Sequence, residues 1–251
     1  VVREFPISID ADAFAERARS PATEAEAESI RRLVLPDGGQ LLLGVDRLDY
    51  TKGIPRRFDA LVRLLETHPE LVGRVALVQI GVPTRSEVPE YAAFERDVAD
   101  LADQINQRFG TGRWLPIRLI SEHVGHESLV AYYRAADICI VSPLMDGMNL
   151  VAKEFVASRD DDQGVLILST FAGASRELTE ALIVNPYDAK SMADALHAGL
   201  LMPPQEQAER MRLMRQQVRD QNVYRWAGRM LLDAARVRQR RRILALAGSA
   251  L

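Results

Sequence analysis

The chain has 251 residues, of which 47% are hydrophobic and 27% are charged, and its formal net charge is −3. These values are typical of a soluble globular protein with one large or two small domains and ample length to bury a core. The chain lacks the global basic bias that binding to nucleic acid or to an anionic membrane needs. We therefore expect neither partner, and we predict that any phosphate site is a local cluster.

The cysteine and histidine content bears on compartment and metals. The N-terminus has no apolar signal-peptide core, and no hydrophobic run reaches transmembrane length, so we expect a cytoplasmic protein. The single cysteine, Cys139, lies in an apolar run and is expected in the core; it allows no intrachain disulfide, which suits a reducing compartment. The four histidines, His68, His123, His126 and His197, show no spacing typical of metal ligands.

The segment before Gln40 does not alternate between strands and helices. Val1 to Ile9 ends in the string FPISID, and Ala11 to Arg32 is an Ala/Glu/Arg-rich helical stretch. From Gln40 onwards, buried apolar runs alternate with segments whose apolar residues recur at helical spacing.

The predicted strands are Gln40–Val45, Val75–Ile80, Ile117–Ile120, Ile138–Val141, Val165–Leu168 and Leu182–Val184. The predicted helices are Pro55–Thr67, Glu90–Phe109, Ser128–Arg134, Met148–Ser158, Ser191–Leu201, Pro204–Arg219 and Val223–Ala245. This alternation predicts an α/β fold with a doubly wound, Rossmann-like parallel sheet. Ligands of such sheets bind at the carboxyl ends of the strands, near the topological switch point.

The loop after the first predicted strand carries two cations, Arg47 and Lys52, and ends at Gly53. Both cations can converge on one diphosphate, since Arg offers a planar fork and Lys a point charge. Cations placed there would stabilise the negative charge that grows on a leaving phosphate without a metal. The alternative is a solvated surface loop with Asp46 or Asp49 as ion-pair partners.

The string VSPLMDGMNLVAKEFVA, residues 141–157, predicts a strand end, a turn and a helix start. This arrangement points free backbone N–H groups and the positive end of the helix dipole at a ligand above the sheet. Asp146 and Glu154 lie about 12 Å apart along such a helix and roughly 80° apart around it. One acid could meet a sugar ring, and the other a polar group two turns further on. The alternative is an ordinary amphipathic helix with a capping Asp and a solvated Glu.

Two of these strings resemble known motifs. The Asp-x7-Glu pair is similar to the acidic pair of retaining glycosyltransferases with two facing Rossmann-like domains. DGMNLVAKEF and GVDRLDYTKGIP resemble motifs of the trehalose-6-phosphate synthase family, and the resemblance spans Val2 to about Arg236. It implies that the chain is the C-terminal, nucleotide-sugar-binding domain of a two-domain glycosyltransferase, without the glycine-rich N-terminal domain.

The resemblance also implies a division of the chain. Residues 1–38 would be the tail of the N-terminal domain plus a linker helix, because a FPISID-like segment closes that domain in the family. Residues 39–222 would be the Rossmann-like donor-binding domain. Residues 223–251, which include Val223-Tyr224-Arg225-Trp226, would form a C-terminal helix that packs back toward the N-terminal domain.

The implied activity is that of a hexosyltransferase, which moves glucose from UDP-glucose to glucose 6-phosphate with retention and forms trehalose 6-phosphate. The implied partners are a nucleotide sugar and a sugar phosphate; no cofactor and no metal is implied, and a homo-oligomer stays open. The alternatives are a related glucosyl- or pseudo-glycosyltransferase, such as a glucosylglycerol-phosphate synthase, or a nucleotide-binding fragment that is inactive alone.

The resemblance assigns roles to individual positions. Asp146, Arg47 and Lys52 would be catalytic, and Arg85 would contact the phosphate of the acceptor sugar. The implied donor-binding residues are Arg47, Lys52, Val124, Gly147, Met148, Asn149, Leu150, Val151, Ala152, Lys153 and Glu154, the last on the ribose hydroxyls. Val124 stands where many members carry an aromatic residue, and Met145 where many carry an arginine. The identity of the donor nucleotide (UDP, ADP or GDP) therefore stays open.

Overall fold

The fold is built on one six-stranded sheet. A computed structural model describes residues 3–85 and 87–248, with side chains described as far as residue 240. The strands are β1 (Gln40–Arg47), β2 (Val75–Val82), β3 (Ile117–Ile120), β4 (Ile138–Val141), β5 (Val165–Ser169) and β6 (Leu182–Val184). All neighbouring strands pair in parallel, in the order β3-β2-β1-β4-β5-β6. The predicted parallel sheet is confirmed.

This strand order places the topological switch point between β1 and β4. The chain runs outward from β1 through β2 to β3, and then returns to the other side of β1 to form β4. Leu42 pairs with Ile138 and Leu43 with Cys139 across that boundary. The carboxyl ends of β1 and β4 therefore flank the crevice where sheets of this kind bind ligands.

Helices cover both faces of the sheet. They are α1 (Ala11–Ala18), α2 (Pro21–Val34), α3 (Ile54–Thr67), α4 (Pro89–Phe109), α5 (His126–Ala135), α6 (Leu150–Ser158), α7 (Ala189–Leu201), α8 (Pro204–Asp220) and α9 (Val223–Gly248). In one layer α3 packs against α4 and α7; in the other, α5 packs against α1, α2 and α6. None of the described helices is both long and apolar enough to span a membrane.

The strands are apolar on both faces because both faces are covered. Leu41, Leu42 and Leu43 of β1 are fully buried, as are Ile138 and Cys139 of β4. Cys139 is a free thiol, and burial raises its pKa. Its predicted place in the core is confirmed.

The helical stretch predicted from Ala11 to Arg32 is divided into α1 and α2. Ser20 lies between them and accepts a hydrogen bond from the Thr23 amide at 3.1 Å, and Pro21 occupies the first turn of α2. A side-chain cap followed by proline is a strong start signal for a new helix. Both helices pack on the sheet domain through α5 and α6, so the boundary predicted at residue 38 stays a prediction.

Helix α9 begins against the N-terminal segment. The Val223 amide donates to the Ile9 carbonyl at 3.0 Å, and the Trp226 indole N–H donates to the Phe5 carbonyl at 3.0 Å. The prediction that this helix packs toward another domain stays a prediction. Val1, Val2 and residues 249–251, at the outer ends of the predicted segments, lie outside the described residues.

Candidate functional site

The loops that follow β1 and β4 meet at the crevice. The Leu144 amide donates to the Thr51 carbonyl at 2.7 Å and joins the two loops. Gly53 has a φ of 67°, and a Cβ on it would lie 2.3 Å from the Ser142 carbonyl oxygen. Only glycine therefore lets the first loop lie so close to the second.

Lys52 and Asp146 form an ion pair at the centre of the crevice. Lys52 Nζ lies 2.7 Å from Asp146 Oδ2, and the two side chains are 14% and 16% exposed. Asp146 also accepts hydrogen bonds from the Met148 amide at 3.3 Å and from the Asn149 side-chain amide at 3.2 Å. Burial raises the pKa of Asp146, but Lys52 and these donors outweigh it and hold the pKa below its ordinary value. Asp146 is therefore an ionised carboxylate with three donors.

Arg47, at the end of β1, is much more open. Its side chain is 54% exposed, and the nearest carboxylate oxygen, Asp49 Oδ2, is 3.9 Å away. The other oxygen of Asp49 accepts from the Thr51 amide at 2.9 Å and from the Thr51 hydroxyl at 2.8 Å. Asp49 thus shapes the loop, and the guanidinium of Arg47 stays available to a ligand.

The mouth of α6 offers backbone donors. The helix begins at Leu150 and not at the predicted Met148, because Asn149 takes a positive φ of 73° and caps the helix. The Asn149 side-chain oxygen accepts from the Ala152 amide at 3.1 Å. Among the described residues, the amides of Leu150 and Val151 have no hydrogen-bond partner. These two amides and the positive helix end can hold an anion.

The side chain of Lys153 is taken up by the protein itself. It is 1% exposed, and its Nζ donates to the Ile7 carbonyl at 3.0 Å and to Glu177 Oε2 at 2.9 Å. This side chain ties the N-terminal segment to α6. A ligand contact at this position would have to use the backbone.

Glu154 lies half-buried further along α6. Its Oε2 accepts a hydrogen bond from the hydroxyl of Tyr133 at 2.8 Å, and Tyr133, on α5, is fully buried. Burial raises the pKa of Glu154, and Tyr133 and the nearby His126 only partly counter this rise. Burial also raises the pKa of Tyr133, so its hydroxyl stays protonated and donates. One carboxylate oxygen of Glu154 is thus held, and the other can accept from a ligand hydroxyl.

A buried polar network below the crevice was not anticipated from the sequence. Arg57 of α3 is fully buried, and its Nη1 donates to Asp46 Oδ2 at 2.8 Å and to Gln79 Oε1 at 2.6 Å. Its Nε donates to the Ser142 hydroxyl at 3.2 Å. Gly44 makes room, since a Cβ there would lie 2.1 Å from Arg57 Nη1. Asp46 therefore pairs with Arg57, and not with Arg47 or Lys52 as the surface-loop alternative would have it.

Arg85 lies in the loop after β2. It is exposed, has a φ of 50°, and donates from Nη1 to the Tyr91 hydroxyl at 2.9 Å. The ring centroid of Tyr91 lies 6.0 Å from the ring centroid of Tyr50. Tyr50 belongs to the short helical turn that contains Lys52. Arg85 thus lies near the loop that follows β1, and its exposed guanidinium can still bind an anion.

The loop between β3 and α5 carries Val124, which is half-buried and packs against the core. His123 and His126 on either side are exposed. Val124 therefore offers its backbone to a ligand more readily than its small side chain.

A cavity of about 600 Å³ opens beside Asp146. Its walls come from the N-terminal segment, the turn before α6 and the segment after β5: Glu4, Phe5, Pro6, Asp146, Gly147, Met148, Thr170, Phe171, Ala172, Gly173, Arg176 and Glu177. Its volume lies in the range of small-molecule sites.

Comparisons with known proteins show the family of the chain. The sequence pattern of glycosyltransferase family 20 matches residues 1–236. A trehalose-6-phosphate synthase of Sinorhizobium fredii is 44% identical over 230 residues, which are 91% of this chain and 49% of that protein. A UDP-forming alpha,alpha-trehalose-phosphate synthase of Schizosaccharomyces pombe is 40% identical over 85% of this chain and 42% of its own length. The chain spans about half the length of such relatives.

Solved structures give the same result. The UDP-forming alpha,alpha-trehalose-phosphate synthase of Burkholderia xenovorans, in complex with glucose-6-phosphate, superposes with a TM-score of 0.87 at 39% identity. The superposition covers 91% of this chain and 50% of the Burkholderia chain. The E. coli enzyme bound with UDP-2-fluoro glucose has a TM-score of 0.85 at 37% identity, again over 91% of this chain and 50% of its own. The fold, the switch-point crevice and these matches together show that the chain belongs to glycosyltransferase family 20.

Proposed function

We propose that this chain supplies the donor-binding part of a retaining glucosyltransferase that forms trehalose 6-phosphate and UDP from UDP-glucose and glucose 6-phosphate. The observation that carries the proposal is the Lys52–Asp146 pair at the switch point, beside the free amides of Leu150 and Val151. The Lys52 ammonium group, the two amides and the positive end of the α6 dipole can bind a diphosphate. The ionised carboxylate of Asp146 can accept hydrogen bonds from sugar hydroxyls.

In this proposal the diphosphate lies on the mouth of α6. The amides of Leu150 and Val151 donate to its oxygens, with Lys52 and Arg47 on either side. Lys52 carries three N–H donors, and Asp146 takes one of them, so the ammonium can serve both groups. As the bond between glucose and diphosphate breaks, negative charge grows on the leaving oxygen, and these prepositioned donors stabilise it.

The sugar is transferred on the face from which the diphosphate leaves. The acceptor hydroxyl oxygen forms the new bond to the anomeric carbon, the bond to the diphosphate oxygen breaks, and that leaving oxygen takes the hydroxyl proton. No protein nucleophile is needed. Asp146 would be a poor one, because Lys52, Met148 and Asn149 all donate to it. We assign Asp146 to orienting glucose through its hydroxyls.

The remaining positions are assigned as the resemblance of the sequence implies. Glu154, held on one side by Tyr133, accepts from the ribose hydroxyls, and Arg85 meets the phosphate of the acceptor sugar. We assign residues 39–222 to donor binding and residues 1–38 and 223–251 to the connection with a second domain. The buried thiol of Cys139 agrees with a reducing cytoplasm.

A second candidate is nucleotide binding without turnover by these 251 residues alone. The exposed Arg47 and Arg85 favour it, since neither has the fixed geometry of Lys52. Transfer needs acceptor and donor to be positioned against each other. We assign that positioning to a second, facing domain of the kind that the resemblance implies.

Calorimetry with UDP tests donor binding. The chain has three lysines, Lys52, Lys153 and Lys190, and the last is an exposed residue paired with Asp194 on α7. Lys52→Ala should weaken UDP binding about tenfold or more, because a charge-assisted hydrogen bond is lost. Lys190→Ala is the matched control and should bind like the unaltered chain. Equal affinities of all three proteins would contradict the proposal.

A further inference from the structure

His68, Glu70 and His197 meet where α3 packs against α7. His68 directly follows α3, Glu70 lies in the short turn Pro69–Leu71, and His197 lies within α7. One potential ligand atom from each residue lies within 4.8 Å of the other two, and His68 Nδ1 is 3.2 Å from Glu70 Oε1. Linear spacing could not reveal this cluster, because the chain passes through most of the sheet between the two histidines.

We propose that this cluster is a binding site for a divalent transition-metal ion, with Zn²⁺ as the reference ion. Two imidazole nitrogens and one carboxylate oxygen form a ligand set that suits zinc. Mg²⁺ and Ca²⁺ favour oxygen ligands throughout and match this set poorly. Three protein ligands leave a fourth position to water, as tetrahedral zinc allows.

The geometry needs only side-chain movement. The two imidazole rings are stacked, with centroids 3.7 Å apart and planes at 13°. Ligand nitrogens of a tetrahedral zinc site are about 3.3 Å apart, given Zn–N bonds of about 2.0 Å. The potential ligand atoms lie within 4.8 Å of one another, so side-chain rotation can bring the nitrogens to this distance, and the rings must fan apart so that their in-plane lone pairs converge on one ion. Both rings are half-buried at the surface, so they have room to turn.

The backbone around the cluster is already fixed. The His68 amide donates to the Leu64 carbonyl at 2.8 Å, and the Leu71 amide donates to the His68 carbonyl at 3.0 Å. Glu70 has a 67% exposed side chain that can move toward the rings.

Among the described residues, the cluster contains the carboxylate of Glu70 and not that of the nearby Asp194. Asp194 lies one turn before His197 on α7, but its carboxylate is 2.7 Å from Lys190 Nζ and is already paired. Glu70 is therefore the carboxylate that faces the two histidines.

A bound ion would cross-link the C-terminal end of α3 to α7. The other end of α3 starts beside the Lys52 loop, about 21 Å away for a helix of this length. The proposal is therefore independent of the proposed transferase function. It predicts that zinc raises thermal stability without touching the crevice.

The test uses the chain without a polyhistidine tag, titrated with Zn²⁺ against a chromophoric chelator and melted with and without zinc. Zinc at a hundred times its Kd should raise Tm by about 5 °C in the unaltered chain. His197→Ala and His68→Ala should bind zinc at least about tenfold more weakly, since loss of even an outer-shell partner costs that much. His123→Ala, an exposed histidine elsewhere, is the matched control and should bind normally.

Melting in EDTA shows whether each variant still folds, and Glu70→Gln offers a ligand change at an exposed position. It should weaken zinc binding with an unaltered Tm in EDTA. The proposal is overturned if the unaltered chain binds no zinc at millimolar concentration. It is equally overturned if His197→Ala, His68→Ala and Glu70→Gln all bind like His123→Ala.

Discussion

The two cations of the loop after β1 lie in opposite environments. Lys52 is 14% exposed and donates to Asp146 at 2.7 Å. Arg47 is 54% exposed and comes no closer than 3.9 Å to Asp49. The chemistry that the two residues offer is similar, but one is fixed before any ligand arrives and the other is not.

The same division runs through the whole site. Around the mouth of α6, Asp146, Asn149 and Glu154 each have a fixed partner within the domain. Arg47 and Arg85 are exposed; among the described residues the Arg47 side chain donates no hydrogen bond, and that of Arg85 donates one, to the Tyr91 hydroxyl. Donors that are fixed in advance need no reorganisation when charge develops. We infer that this domain preorganises the donor half of the site, and that exposed arginines acquire their geometry only with ligand or a second domain.

The largest expected effect is on the network below the preorganised half. Arg57→Met should lower the free energy of unfolding by about 3–5 kcal/mol, because Asp46 would be left buried without its cation. Urea unfolding measures this loss. Arg56→Met, at an exposed neighbour on the same helix, is the control and should change stability by less than about 0.5 kcal/mol. Equal stability of the two variants would mean that the network does not hold the loops.

Lys52→Ala should reduce turnover strongly in a two-domain protein that contains this chain. Losing one donor to a developing oxyanion costs on the order of 3 kcal/mol, about a hundredfold in kcat. Ground-state affinity for UDP-glucose should fall less than kcat, because the contact strengthens as charge develops. Steady-state kinetics beside Lys190→Ala, which should turn over normally, separate the effect from general damage. Near-normal turnover of Lys52→Ala would show that the leaving phosphate is held elsewhere.

Glu154→Gln should weaken UDP-glucose binding about tenfold, through loss of a charge-assisted hydrogen bond to ribose. Gln keeps an acceptor for the Tyr133 hydroxyl. Folding stability should not fall, because burial already disfavours the charge of Glu154 and raises its pKa. Calorimetry and thermal melting check both statements; unchanged affinity with unchanged stability would leave Glu154 without a role in binding.

Tyr133→Phe removes the partner that holds Glu154 and should weaken UDP-glucose binding about fivefold at neutral pH. The hydrogen bond from Tyr133 lowers the pKa of Glu154, so the variant raises that pKa further above its ordinary value. As pH falls, Glu154 of the variant is protonated at a higher pH than Glu154 of the unaltered chain. Affinity should therefore be lost from a higher pH than in the unaltered chain.

The control for this pH profile is Tyr132→Phe, at the half-buried neighbour that makes no such hydrogen bond among the described residues. It should keep the affinity and the pH dependence of the unaltered chain. If the profiles of the Tyr133 and Tyr132 variants coincide, Tyr133 fills space and does not position Glu154.

The smallest expected effect is on the exposed half. Arg47→Ala should change the free energy of unfolding by less than about 0.5 kcal/mol, since an exposed cation with a long ion-pair distance adds little. Its effect on UDP-glucose affinity in the isolated domain should be smaller than that of Lys52→Ala. A destabilisation as large as that of Arg57→Met would contradict the division between the two halves.

The sheet was predictable because its signals are local. Each strand is a short apolar run between turn residues, and the order of strands and helices restricts the topology to a parallel sheet. The loops with Arg47, Lys52 and Asp146 follow from their place at strand ends. The break between α1 and α2 at Ser20-Pro21 had a local signal, a capping residue before proline. The helical periodicity of the apolar residues did not predict this break.

The remaining features depend on contacts between distant segments. No local pattern shows that Asn149 takes a positive φ, that Arg57 lies under β1 and pairs with Asp46, or that Tyr133 reaches Glu154. Lys153 belongs to a motif that predicts a ligand contact, yet its ammonium group is bound by Ile7 and Glu177. Helical spacing gives the face of a residue but not the partner that it meets.

The most direct test of the preorganised donor site is a crystal structure of this chain with UDP-glucose. We predict the diphosphate within hydrogen-bond distance of the Leu150 and Val151 amides and of Lys52, with the ribose hydroxyls on Glu154 and the Lys52–Asp146 pair in place. A nucleotide bound away from the mouth of α6, or a crevice that forms only after the Lys52–Asp146 pair has separated, would contradict the account.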